Sequence, residues 1–103
     1  MPSFTDRLCK CQKASEMTIS DLMRWFDRPR ATVNTWLNGR TPFGPPAALA
    51  EKRLAMLEFS IKTRSGHYPV PAELTWKQRE NYVRGMRHDA ERNYRVPNMR
   101  AAG

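Results

Sequence analysis

The chain is expected to be all-α, with five helices in one small domain. Three observations lead there. Apolar residues recur at spacings of three and four through most of the chain, which places them on single helix faces. Segments open on the capping pattern at Ser3/Asp6, Thr18/Asp21 and Thr75/Gln78. The Pro- and Gly-bearing stretches fall between the periodic segments, where turns are needed. At 103 residues the chain can bury roughly 60–70% of its unfolded surface, enough for one modest core and not for two.

The first helix is expected from about Phe4 to about Ser15. Phe4, Leu8 and Cys11 form its inner stripe, and Arg7, Lys10 and Lys13 form a basic, solvated side open to a phosphate backbone. A second helix begins at Ile19 and ends near Phe26. Leu22 and Phe26 face inward with Ile19 and Met23 beside them. Trp25 falls off that stripe and either covers the junction with the first helix or serves a partner, with packing the preferred role.

Asp27-Arg28-Pro29 breaks the second helix. Asp tolerates the left-handed conformation, while Pro29 has a fixed φ and no N–H, which suits the first turn of a new helix. That third helix runs from about Arg30 to Asn38, with Val33, Trp36 and Leu37 as its inner edge. Arg30, Thr32, Asn34 and Thr35 point outward. Gly39 ends it, and the stiff loop RTPFGPP leads to prolines 45 and 46, which open a fourth helix reaching about Arg64.

In the fourth helix Leu49, Leu54, Leu57 and Ile61 make an inward stripe, with Ala50 and Met56 alongside. Phe59 and Phe43 either close the core or leave one of the two exposed. The apolar residues cover a wide arc, so part of this helix meets either a second subunit or the final helix of the same chain. Ser65 to Ala72 reads as a linker, with Gly66 ending the helix before it and Pro69 and Pro71 preventing another. The fifth helix spans about Trp76 to Arg92, with Trp76, Val83, Met86 and Ala90 on one face and Tyr82 at its border. Gly85 inside it costs about 1 kcal/mol relative to Ala unless close packing repays it. Tyr94 to Gly103 has little to bury and reads as a flexible basic arm carrying Arg95 and Arg100.

Lys and Arg total 18 against 10 Asp and Glu, a formal net charge of +8. That excess favours a polyanionic partner, because each phosphate neutralised releases condensed counterions. The first residues lack the apolar core of a signal peptide, and no stretch approaches the roughly 18 apolar residues of a membrane span, so a cytoplasmic protein is expected. Cys9 and Cys11 are too few and too close for a disulfide framework, and His67 and His88 show no paired ligand spacing; reduced thiols and no metal are expected. There is no paired carboxylate arrangement, no phosphate-cradling Gly-rich loop and no nucleophile with a base beside it. Neither an enzyme nor a cofactor is expected.

Leu22, Phe26, Val33 and Trp36, followed by Leu37-Asn38-Gly39-Arg40, resemble the helix-turn-helix of the Cro and lambda-repressor-like (XRE-type) family. The likeness covers about Ile19 to Pro42 and is strongest at the W-L-N-G ending; Met23, Asp27, Arg28 and Pro29 depart from the family pattern. The resemblance implies that the third helix enters the major groove of double-stranded DNA. Arg30, Ala31 and Asn34 would then face base edges with Thr32 and Thr35 beside them, and Arg28, Asn38 and Arg40 would face phosphates. Lys13, Arg95 and Arg100 are auxiliary phosphate candidates. The chemistry agrees independently: Arg grips guanine and Asn grips adenine through two bonds, and Ala or a Thr methyl packs on a thymine methyl.

The expected organisation is therefore a helix-turn-helix DNA-binding domain over 1–64, a linker over 65–72, a C-terminal helix over 73–93 and a basic tail over 94–103. The expected role is a sequence-specific transcriptional regulator of phage or mobile-element type, dimeric, in the bacterial cytoplasm at the nucleoid, with no small-molecule ligand. Two alternatives remain: the DNA-recognition subunit of a phage packaging complex, similar to a small terminase, and a basic inhibitor that binds an acidic protein.

Overall fold

In the computed structural model, residues 2–63 and 67–94 are described. They form five helices: α1 (Phe4–Ser15), α2 (Ile19–Phe26), α3 (Arg30–Leu37), α4 (Ala47–Thr63) and α5 (Trp76–Asn93). No strand occurs among the described residues. The chain is a small all-α domain, and its helix boundaries follow the capping and breaking residues closely. Ser3 accepts from the Asp6 N–H at 3.0 Å, while Thr18/Asp21 and Thr75/Gln78 form reciprocal capping boxes.

Asp27 takes the left-handed conformation, φ 56° and ψ 50°, and the Arg28 N–H reaches back to the Met23 carbonyl at 3.2 Å. Pro29 is the N-cap of α3, one position earlier than a first-turn proline, and its carbonyl accepts the first bond of that helix from Val33. At the other end Gly39 has φ 113°. The Gly39 N–H bonds to Trp36 O and the Arg40 N–H to Thr35 O, a double closure that satisfies two terminal carbonyls.

One core joins all five helices. Phe4, Phe26 and Trp36 meet at its centre, with ring centroids of 5.4 Å for the two pairs that include Trp36 and edge-on geometry in both. Leu8, Leu22, Trp25, Val33, Leu54 and Leu57 pack around them, and α5 adds Val83 and Ala90. Trp25 has the packing role expected of it. It is fully buried, and its indole N–H donates to the Arg53 carbonyl at 2.9 Å, while the Arg53 guanidinium donates to the Phe26 carbonyl at 2.6 Å. The two bonds tie the last turn of α2 to α4, and a cation at a helix C-terminus is favoured by the helix dipole.

Around this core, α4 lies against α1 and α5 of its own chain. Arg7 forks onto Glu58 through Nε at 2.9 Å and Nη2 at 2.6 Å, and reaches Glu51 through Nη1 at 2.7 Å. These carboxylates raise its pKa further above the ordinary arginine value. The segment His67 to Ala72 connects α4 to α5 as a packed strap. Val70 is buried and its N–H bonds to Ser15 O at 2.8 Å, while Tyr68 and Ser60 share a 3.0 Å hydrogen bond. Arg64, Ser65 and Gly66 lie outside the described residues, as does the tail from residue 95 onward. Tyr94, placed by sequence at the start of a free arm, instead packs edge-on against Phe59 at 5.5 Å.

Two apolar residues expected inward face outward. Leu49 is 42% exposed because the inner stripe of α4 runs through Ala50, Leu54 and Leu57; a residue five before Leu54 lies on a different side of the helix. Trp76 is 68% exposed. It lies one turn before Arg79, which reaches the α1–α2 junction, so Trp76 sits beyond the edge of the core. Of the two phenylalanines in question, Phe59 packs and Phe43 is left 82% exposed in the loop before α4.

Candidate nucleic-acid interface

The third helix has two unlike sides because of where its apolar residues fall. Val33 and Trp36 are buried, and the Trp36 carbonyl accepts from the Thr5 hydroxyl at 2.6 Å, fixing the helix to α1. Arg30, Ala31, Asn34 and Thr35 are exposed together on the opposite side. Of these, the Thr35 hydroxyl donates within the helix to Ala31 O at 2.7 Å, whereas the Asn34 amide makes no hydrogen bond among the described residues. Arg30 makes only a long contact, 3.4 Å from Nη2 to Ser20 Oγ. Its guanidinium is therefore available to a ligand.

The remaining candidates divide. Thr32 is half-buried and lines a shallow hollow with Arg28, Trp36 and Phe43, so it stands at the border of the exposed face. Asn38 is exposed, with one amide donor used on Asn34 O at 2.9 Å. Arg40 is exposed just beyond the helix. Lys13 is exposed in the last turn of α1, apart from the α3 face. Arg95 and Arg100 lie outside the described residues.

Beside the start of α3 the structure gathers arginines that are far apart in sequence. A cleft of about 610 Å³ between α2, the α2–α3 turn and α5 is lined by Arg24, Arg28, Arg84 and Arg87, with Ser20 and Asp27 among their neighbours. Asp27 is the one carboxylate in this lining. Arg87 donates to the Arg24 carbonyl at 3.1 Å, which places α5 against α2. Sequence reading singled out Arg28 here. Arg84 and Arg87 are not singled out by it, because nothing in their spacing tells which element α5 lies against.

A second group of charges holds the site in place. Asp21 is fully buried in α2, and its carboxylate accepts from Thr18 N, Arg24 Nη1 and Arg79 Nε at 3.0, 3.0 and 2.6 Å. Arg79 also donates to Pro71 O and Glu16 O, at 3.2 and 2.8 Å. One guanidinium thus joins α2, α5, the strap and the α1–α2 junction.

The thiols are unlike each other. Cys9 is exposed, whereas Cys11 is buried, and burial, with a smaller push from Glu58, raises its pKa to about 12. Among the described residues no group of three His, Cys, Asp or Glu side chains is placed to hold a metal, and no helix is long and apolar enough to cross a membrane. Comparison with protein-family models, with curated proteins and with solved structures gave no match.

Proposed function

We propose that the chain is a sequence-specific double-stranded DNA-binding regulator that reads the major groove with α3. The observation carrying this reading is the outer face of α3, where Arg30, Ala31, Asn34 and Thr35 stand exposed side by side on a helix anchored from behind by Val33 and Trp36. Base reading needs both halves of that arrangement. Uncommitted donors and acceptors must meet the base edges, and a rigid mount must hold them, because a two-bond contact to a base depends on geometry. The net charge of +8 supplies salt-dependent affinity.

In this reading the regulator acts as a dimer, whose two α3 helices would meet half-sites about one helical turn, roughly 34 Å, apart. Phe43 and Leu49, close in the chain and exposed, are apolar surface that a second copy can cover. Selection of bound fragments from a random DNA pool tests the reading. A sharp motif with twofold symmetry is expected, and it should disappear in an Arg30→Ala/Asn34→Ala variant that still folds. Each lost two-bond contact should cost about 1–3 kcal/mol of discrimination. Equal affinity for scrambled DNA would refute base reading, and a ring of many copies in solution would turn the assignment to an assembly subunit.

A further inference from the structure

We propose that the arginine cleft between α2, the α2–α3 turn and α5 seats a backbone phosphate diester of the duplex, so that α5 extends the DNA contact beyond the groove that α3 enters. The inference rests on the reading of α3 given above and adds to it a contact that is blind to sequence.

Composition is the first argument. Arg24, Arg28, Arg84 and Arg87 line the cleft with one carboxylate, Asp27. Guanidinium groups present planar forks of donors that match phosphate oxygens, and such charge-assisted bonds are the stronger kind. The second argument is the donor inventory. The Arg28 side chain makes no hydrogen bond or ion pair among the described residues, its backbone N–H alone being used, on Met23 O. Arg84, itself exposed, has a single partner, the half-buried Glu80 at 3.1 Å, which competes weakly with a phosphate. Arg24 is held by Asp21, and Arg87 by the Arg24 carbonyl and an ion pair with Glu91 at 3.5 Å, so their charges stay at the cleft without being free to swing away.

The local field is a third, independent argument. Arg53, on the neighbouring α4, has its pKa lowered first by burial and then by the charge of Arg87, with Arg28 contributing in the same direction. Asp27 and Glu91 act in the opposite direction, and an incoming anion would relieve the repulsion between the guanidinium groups. Position decides the source of the anion. Arg28 and Pro29 line the cleft and directly precede Arg30, the first residue of α3, whose side chain approaches Ser20, another lining residue. The cleft and the exposed face of α3 are thus one continuous surface. A phosphate seated in the cleft would belong to the strand bordering the groove.

The test is the salt dependence of duplex binding for the full chain, with cognate and scrambled duplexes, in the wild type, Arg84→Gln, Arg84→Lys and Arg28→Gln. Loss of one phosphate contact should reduce the slope of log K against log salt by about one and weaken binding about tenfold, equally for both duplexes. Arg84→Lys should restore most of the slope, because the charge is kept. An unchanged slope in both Gln variants, while Arg30→Ala/Asn34→Ala abolishes sequence preference, would overturn this inference and leave the α3 reading standing. Binding without sequence preference whose slope still falls in Arg84→Gln would do the reverse. Absence of duplex binding at every salt concentration would overturn both. Titration with inorganic phosphate, followed at the arginine Nε–H resonances, covers the remaining source. Saturable shifts at Arg84 together with duplex binding indifferent to Arg84→Gln would assign the cleft to a free phosphorylated ligand and sink the proposal.

Discussion

Arg79 and Arg84 lie five residues apart on the same helix and have opposite surroundings. Arg79 has a side chain only 13% exposed, and it bonds the buried Asp21 and two backbone carbonyls from separate segments. Arg84 is 61% exposed and touches one carboxylate of its own helix. The first arginine is part of the fold, because each nitrogen of its guanidinium is bonded within the protein and the group is mostly out of water. The second is available to a partner, because little holds it. The contrast extends through the molecule. Arg7, Arg53 and Arg79 join helices together, whereas Arg30, Arg40 and Arg84 are exposed with few or no side-chain partners, and Arg28 is half-buried with none among the described residues.

The largest effect expected from testing this contrast is on stability. Arg79→Ala strands the Asp21 carboxylate in the core with fewer partners, and breaking a buried pair in this way costs about 3–5 kcal/mol. Arg84→Ala should stay within about 0.5 kcal/mol of wild type, as surface changes usually do. Chemical denaturation of both variants measures the difference. Equal losses would mean that the two arginines have the same standing and that the contrast is wrong.

A smaller effect of the opposite sign is expected at Gly85, the residue after Arg84. A Cβ built there meets nothing within 4 Å, so close packing does not explain this glycine. Gly85→Ala should stabilise the chain by about 0.5–1 kcal/mol through helix propensity and reduced freedom of the unfolded chain. The salt slope of duplex binding should stay unchanged, because the arginines keep their positions. A loss of stability would show that α5 needs flexibility at that point.

A further change is expected in mild alkali. Burial pushes Cys11 and Tyr68 up to about 12, above their unfolded values of roughly 8.5 and 10. The folded chain therefore retains protons that the unfolded chain releases. Their stabilisation is complete below about pH 8.5 and is lost progressively as pH rises towards 12. Arginines stay charged over this range, so the arginine–carboxylate pairs do not contribute to the decline, whereas Tyr82, whose pKa burial also raises, adds to it. Melting curves at pH 8 and pH 10.5 should show a lower midpoint at the higher pH. A smaller decline is expected in Tyr68→Phe, and an unchanged midpoint in the wild type would contradict the burial assigned to these groups.

Much of the helical layout was legible before any coordinates. Thr18/Asp21 and Thr75/Gln78 mark helix starts because a side-chain oxygen three residues from a backbone N–H is a local solution to a local need. Asp27 and Gly39 mark helix ends for a similarly local reason, their tolerance of positive φ. The outward set on α3 follows from the burial of Val33 and Trp36, since a helix that buries one side presents the other. Leu49 and Trp76 misled because hydrophobicity alone does not tell how far the neighbouring elements extend to cover a residue.

By itself, then, the sequence determined the five helices, their caps and breaks, and the polar side of α3, all of which depend on residues within a turn or two of one another. Tertiary structure decided which arginines hold the fold and which form the cleft. Asp21 meets Arg79 across 58 positions, and Arg24 meets Arg87 across 63. Such pairings arise when α5 packs against α2, and spacing along the chain carries no record of that packing. An arginine becomes a tie or a contact according to the desolvation and partners it finds there.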